Sequence, residues 1–153
     1  LLDYLNMINE QNHQISVKLS AKMDKTAQAV ERLQEENFRL KGQVGQLVDD
    51  MCRKEAERYA GSGSVLIFMD GMDADSVRKL ADAVTQTCQG CCAVFSGNAD
   101  GSYKYAMGEK DGDLRQFTKE MNAKLNGRGG GKPFFVQGSV QASEKEIRNF
   151  FEQ

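Results

Sequence analysis

Gly127-Arg128-Gly129-Gly130-Gly131-Lys132-Pro133 is the stretch on which the reading of this chain turns. Three successive glycines carry no Cβ, so their backbone reaches angles closed to other residues and can approach a ligand closely. The run is expected to form a glycine-rich loop whose successive amide N–H groups make a nest for an anion. Arg128 and Lys132 bracket it with positive charge. From Leu114 to Ser143 there are five basic residues (Arg115, Lys119, Lys124, Arg128, Lys132) and one acidic residue, Glu120. The whole chain has a net charge of −2, so the cations are a local excess and not a global one. Phosphates are the natural counter-charge. On charge and glycine content alone, a flexible solvated turn explains the stretch equally well.

The flanks of this stretch read as short strands and helices. Downstream, Phe134-Phe135-Val136-Gln137-Gly138 has strand character, and Ser143 with Glu146 fits a capping box for a last helix with Ile147, Phe150 and Phe151 inward. Upstream, Asp113 is placed to cap a helix with Leu114, Phe117, Met121 and Leu125 on its inner side. Before it, Cys92-Ala93-Val94-Phe95-Ser96, a turn at Asn98-Ala99-Asp100-Gly101, and Tyr103-Lys104-Tyr105-Ala106-Met107 form a strand pair. Val65-Leu66-Ile67-Phe68-Met69-Asp70 reads as a buried strand, and Asp73 as the cap of a helix carrying Val77, Leu80, Ala81 and Val84 on one face. The order β-α-β-β-α-β-α over residues 61–153 predicts an α/β domain, a mixed sheet with packed helices.

Residues 1–60 follow a different grammar, with no Pro and two Gly, and Gly61-Ser62-Gly63-Ser64 marks the change. Met23, Val30, Asn37, Val44 and Met51 alternate at steps of three and four with Thr26, Leu33, Leu40 and Leu47. That is a heptad seam, with the first set at a and the second at d. Valine at a with leucine at d favours a parallel two-stranded coiled coil, and a buried Asn37 fixes register at a cost in stability. Glu36 and Lys41 sit where they would pair between chains. Leu1, Leu5, Ile8, Asn12, Ile15 and Leu19 extend the spacing upstream, with a stutter at Ile15–Leu19–Met23. Gly42 and Gly45 each cost ~1 kcal/mol against alanine, but the seam passes through them in phase. The expectation is one continuous helix over residues 1–60, a stalk joining two copies through Val30, Leu33, Asn37, Leu40, Val44 and Leu47. An antiparallel hairpin, or packing against a region outside this chain, is the competing reading. The chain starts at Leu1 inside a helical pattern, which suggests a piece of a longer protein.

The glycine stretch together with Gln137-Gly138 resembles the signature of the DHH-associated C-terminal domain, which ends alanyl-tRNA synthetases and the related alanyl-tRNA editing proteins. The family pattern has a Gly-Gly-Gly-Arg-like core and an Ala-Gln-Gly shortly after; here Lys132 stands for the Arg and Val136 for the Ala. The upstream strands and helix, Ser96 at a strand end, and a preceding helical segment also fit. The resemblance covers roughly residues 61–152. It implies a module that contacts the backbone of folded tRNA, in this branch tRNA(Ala), and helps subunits associate. Gly129, Gly130, Gly131, Lys132 and Gln137 carry over to the family's motif positions, with Arg128, Lys124 and Lys104 as charged neighbours. A cousin domain in DHH phosphoesterases has His after the glycines and grips a nucleotide; Lys132 favours the synthetase branch. The family's editing domain uses zinc held by His-x-x-x-His and Cys-x-x-x-His. With His13 as the single histidine, neither motif fits in these 153 residues.

No catalytic residue, cofactor or metal site is therefore expected in this chain, and a purely structural dimerisation module is the rival from another class. Cys88-x-x-Cys91-Cys92 suggests zinc or redox chemistry, but a structural zinc takes four ligands and only the distant Cys52 remains. Buried reduced thiols of a cytoplasmic protein are the simpler expectation. Tyr103 and Tyr105 beside Lys104 fit base stacking or ordinary strand alternation. Asp70, Asp73 and Asp75 lack a histidine partner, and His13 reads as a solvated stalk residue. No apolar run reaches the ~18 residues of a membrane span.

Overall fold

A computed structural model describes residues 1–98 and 101–153, so part of the turn expected at Asn98–Gly101 lies outside the described residues. The chain divides into two compact units, Leu1–Leu47 and Val48–Gln153.

The second unit is built on a five-stranded mixed sheet. Its strands are β1 (Val65–Asp70), β2 (Cys92–Gly97), β3 (Ser102–Gly108), β4 (Arg128–Lys132) and β5 (Phe135–Gln141), in the order β1-β2-β3-β5-β4. β1 and β2 are parallel, joined over helix α3 (Ala74–Thr85); every other pair is antiparallel. Helices α4 (Arg115–Lys124) and α5 (Glu144–Phe151) complete the α/β order expected from the sequence.

Side chains alternate across a sheet, so each register row belongs to one face. Val65, Ile67, Cys92, Val94 and Ala106 form one core with Val77, Leu80, Ala81 and Val84 of α3. Ala93, Phe95, Tyr105, Met107, Val136 and Val140 form the other, with Met121 of α4 and Ile147 of α5. β2 is buried on both faces, which explains why it reads as a continuous apolar run. Fully burying one side chain such as Leu80 stabilises the fold by about 1.5–3 kcal/mol relative to exposure. Two of the expected caps form: Asp73 accepts from Ser76 N at 2.8 Å, and Ser143 with Glu146 makes a reciprocal capping box. Asp113 is not the cap of α4 expected from the sequence: the N-cap is Leu114, without a side-chain capping bond, and the Asp113 carboxylate, one residue earlier, accepts from Arg115 N at 3.1 Å.

Three further features differ from the sequence expectation. The helix foreseen over residues 1–60 is two helices, α1 (Leu2–Lys18) and α2 (Thr26–Arg58), with a short 3-10 turn at Met23–Lys25. α1 stops in a Schellman arrangement: Ser20 takes φ 49°, Ser20 N donates to Val17 O at 3.1 Å and Ala21 N to Ser16 O at 3.0 Å. Glycine usually marks this stop, and here a serine adopts it. Secondly, the compact unit begins inside α2, because Cys52 and Ala56 are buried and Cys52 joins the α3-side core. Thirdly, the glycine-rich stretch is a strand, not a loop. Glycine has no strand propensity of its own, and pairing with β5 supplies the order.

That pairing depends on missing side chains. Gly129 and Gly138 are directly opposed. A Cβ on Gly138 would lie 2.1 Å from Arg128 O, and one on Gly129 would lie 2.4 Å from Gln137 O and 2.5 Å from the Tyr105 hydroxyl. Gly130, between them in sequence, faces open space. Gly138→Ala should therefore cost about 1–3 kcal/mol, since backbone must move. Gly130→Ala should stay within about 0.5 kcal/mol. Denaturant midpoints of the two variants give the comparison, and equal values would refute this account of β4.

Candidate nucleic-acid interface

β4 lies at the sheet edge and all five of its residues are exposed. An edge strand turns alternate N–H and C=O groups away from its neighbour, and the glycines leave those groups without side-chain cover. The chain enters the strand directly from α4. Asn126 takes φ 50° and Gly127 N donates to Asn122 O at 2.8 Å, the 6→1 bond of a Schellman-like turn with Asn where Gly is usual. The Asn122 side chain then ties strand to core: its Nδ2 donates to Gly129 O at 3.4 Å, and its Oδ1 accepts from the Tyr105 hydroxyl at 3.2 Å. Burial raises the Tyr105 phenol above its ordinary value, against a smaller opposing effect of Asn122, so it remains a protonated donor.

Register brings together residues far apart in sequence. Lys104 is opposite Ser139, and Ser139 is opposite Arg128, so the three make one row across β3, β5 and β4. Gln137 and Gly130 pair in the adjacent row on the same α3 side. α3 packs over β2 and β3, while Gln137 and Ser139 stay exposed and their neighbours Val136 and Val140 are buried on the other side. The result is a bare stretch of sheet carrying Lys104, Arg128, Gln137 and Ser139. Among the described residues, no hydrogen bond or ion pair engages the side chain of Lys104 or Arg128. Lys132 Nζ lies 5.8 Å from the Phe134 ring centroid.

A groove of about 450 Å³ lies on each side of β4. One is lined by Arg115, Lys119 and Gly129–Gly131. The other includes Arg78, Lys110, Lys132, Phe134 and Gln137. Arg78 and Lys110 escaped the sequence reading because they come from α3 and the β3–α4 connection. Both are partly engaged, Arg78 with Asp75 at 2.9 Å and Lys110 Nζ with Gln86 O at 2.6 Å. Lys124 stands apart from this grouping: its Nζ donates to Gln153 Oε1 at 3.1 Å and sits 5.4 Å from the Phe150 ring centroid.

The remaining sequence candidates are absorbed by packing. Tyr105 is 2% exposed, and Tyr103 meets Phe68 edge-on on the same α4–α5 side, so neither offers a ring to a base on the cationic side. Ser96 is buried and its hydroxyl accepts from Met72 N at 3.0 Å. Cys52, Cys88 and Cys92 are free thiols in one core, and burial pushes the half-buried Cys91 up to about 12. Thiols held protonated are poor nucleophiles and metal ligands. On α2, Val30, Leu33, Asn37, Leu40, Val44 and Leu47 are all exposed in the single chain. Glu36, expected to reach Lys41 of a second chain, is held by Arg39 of its own helix at 2.6 Å. Among the described residues no helix is long and apolar enough to cross a membrane.

Residues 62–153 match the DHHA1 domain. An alanine–tRNA ligase from Psychrobacter sp. is 23% identical over 156 residues, which cover 94% of this chain but 17% of the ligase. The chain therefore spans less than a fifth of that relative's length. Among solved structures, the C-Ala domain of Aquifex aeolicus alanyl-tRNA synthetase aligns with a TM-score of 0.51 at 18% identity, covering 61% of this chain and 92% of that domain. RecJ from Thermus thermophilus aligns with a TM-score of 0.57 at 15% identity, covering 91% of this chain and 21% of RecJ. At these identities the likeness is one of fold.

Beside the α4 groove, Asp113 accepts from Arg115 Nε at 2.9 Å and Nη2 at 2.7 Å. These bonds, with that from Arg115 N, hold its carboxyl at about 2, below the ordinary 3.8. A depressed folded value means the pairing is intact above about pH 4 and is lost as pH falls through about 2. In a carboxyl-resolved NMR titration Asp113 should titrate near pH 2, and in Arg115→Ala it should return toward 3.8.

Proposed function

The chain belongs to the DHHA1 domain family, and we propose that it is the tRNA-binding and dimerising C-terminal module of an alanyl-tRNA synthetase-related, editing-type protein, holding tRNA(Ala) for catalytic domains outside this chain. The observation that carries the proposal is the side-chain-free edge strand with its cations. Those amides of Gly129–Gly131 that face away from β5 are open to an approaching phosphate backbone, while Arg128, Lys132 and Lys104 supply charge. Gln137 and Ser139 add neutral polar contacts from the bare face beside them. These are contacts that position a nucleic acid without reading its sequence. Specificity for one tRNA then comes from shape, as expected when a fold is held through its backbone. The module itself performs no chemistry in this reading, works without a cofactor, and acts in the cytoplasm.

Charge reversal tests it. Arg128→Glu with Lys132→Glu should lower affinity for folded tRNA about tenfold or more at ~0.1 M salt. The slope of log affinity against log salt should shrink by about 2, one for each lost phosphate contact. Unchanged affinity and slope would end the RNA reading. The RecJ likeness favours one specific alternative, a nucleotide-gripping domain of a DHH-type phosphoesterase. Short oligonucleotides that outcompete folded tRNA would select it.

Self-association is the second part of the reading. The exposed stripe from Val30 to Leu47 has the residue types of a two-stranded parallel seam, and water contact along it is unfavourable for an isolated helix. The partner in this reading is a second copy of the chain. Sedimentation equilibrium should give a dimer for the natural sequence and a monomer for Leu33→Asp with Leu40→Asp. Asn37→Val should tighten association and admit higher oligomers. A monomeric natural chain would remove the seam, and unimpaired tRNA binding by such a monomer would leave the RNA reading intact.

A further inference from the structure

At the opposite sheet edge from β4, a cavity of about 490 Å³ opens beside β1 on the α4–α5 side. Leu66 of β1, Leu114 and Phe117 at the start of α4, and Phe151 at the end of α5 line it with apolar surface. Phe117 and Phe151 meet at 5.5 Å in an edge-to-face arrangement, which fixes two of its walls. The volume falls within the range of small-molecule sites, and so does the pattern of apolar walls with a few polar groups among them.

Those polar groups are mostly acidic. Glu109, Asp113 and Glu152 line the cavity together with Arg148. Two of the four are already neutralised. Asp113 is paired with Arg115 at 2.7 Å, and Arg148 with Glu144 at 2.6 Å while its guanidinium lies 4.4 Å over the Phe68 ring. The side chains of Glu109 and Glu152 have no hydrogen-bond or ion-pair partner among the described residues. The influence of Glu109 extends into the cavity, where after burial it is the next cause of the raised Cys91 thiol. Two uncompensated carboxylates lining an apolar hollow concentrate cations there and repel anions.

We infer that this cavity is a binding site for a small organic cation, a primary ammonium carried on an aliphatic or aromatic body. The body occupies the space between Leu66, Phe117 and Phe151, and the ammonium meets Glu109 and Glu152. The two contributions are separable. The apolar walls accept any body of suitable size, and the carboxylates choose among head groups. The site shares Asp113 with the groove on the α4 side of β4 but none of the residues proposed to meet RNA, so it stands or falls independently of RNA binding.

Methyl-resolved NMR titration of the full 153-residue chain tests the inference with 2-phenylethylammonium, the neutral 2-phenylethanol and the anionic 3-phenylpropionate. The ammonium should shift the Leu66 and Leu114 methyls saturably and bind at least about fivefold more tightly than the alcohol. The carboxylate should bind more weakly than either. Glu109→Gln with Glu152→Gln should bring the ammonium to the level of the alcohol, and Leu66→Trp should abolish binding of all three by filling the space. If Leu66→Trp does not fold, the double variant decides, since Glu152 is exposed and Glu109 half-buried, and neither belongs to the core. Equal binding of the three probes overturns the inference. So does ammonium selectivity that survives in the double variant, or an absence of shifts at those methyls up to the solubility limit.

Discussion

The opposition of Gly129 and Gly138 is the contact on which the cationic surface depends. Two strands come so close there that neither tolerates a Cβ, with the Tyr105 hydroxyl beneath them. From this approach follow the placement of β4 at the edge, the alignment of Arg128 with Ser139 and Lys104, and the two grooves beside the strand. Asn122 reinforces it from below, because one amide side chain both accepts from Tyr105 and donates to Gly129 O. A segment without side chains cannot hold itself in a sheet by packing. It is held by the ladder to β5 and by a polar clamp to the helix before it.

Much of the architecture was legible because its signals are local. Val65–Met69 is apolar without interruption, Asp73 precedes an amphipathic stretch, and Ser143 with Glu146 has the spacing of a capping box. Each signal spans a few residues and is obeyed where it stands. The misreadings came from residues whose conformation is set elsewhere. A glycine-rich composition says loop, yet Arg128–Lys132 is a strand because β5 lies beside it. Ser20 and Asn126 both take the left-handed turn that glycine would have announced. Nothing in the heptad pattern reveals that Cys52 and Ala56 turn from a solvated helix into a domain core.

The candidate site shows the same division. Arg128, the glycines and Lys132 are contiguous in sequence, so their clustering needs no structure. Lys104, Gln137 and Ser139 join them only through the register of three strands. Arg78 and Lys110 enter through helix packing and a turn, which no spacing rule foretells. Lys124, though near in sequence, is drawn off toward Gln153 and Phe150 by the direction in which α4 presents it. Charge counted along a chain overstates some neighbours and misses others, because a helix turns its side chains through about 100° per residue.

The burial of Cys52 and Ala56 bears on how such a module can be moved between proteins. The Gly-Ser joint at residues 61–64 looks like the natural seam for recombination, but a breakpoint there would remove Cys52 from the α3-side core and Val48, Met51 and Tyr59 from against it. The transferable unit has to bring the last turns of α2 with it. Any ancestral graft onto a new enzyme would then have carried a length of helix as its handle, tying the choice of stalk to the choice of domain.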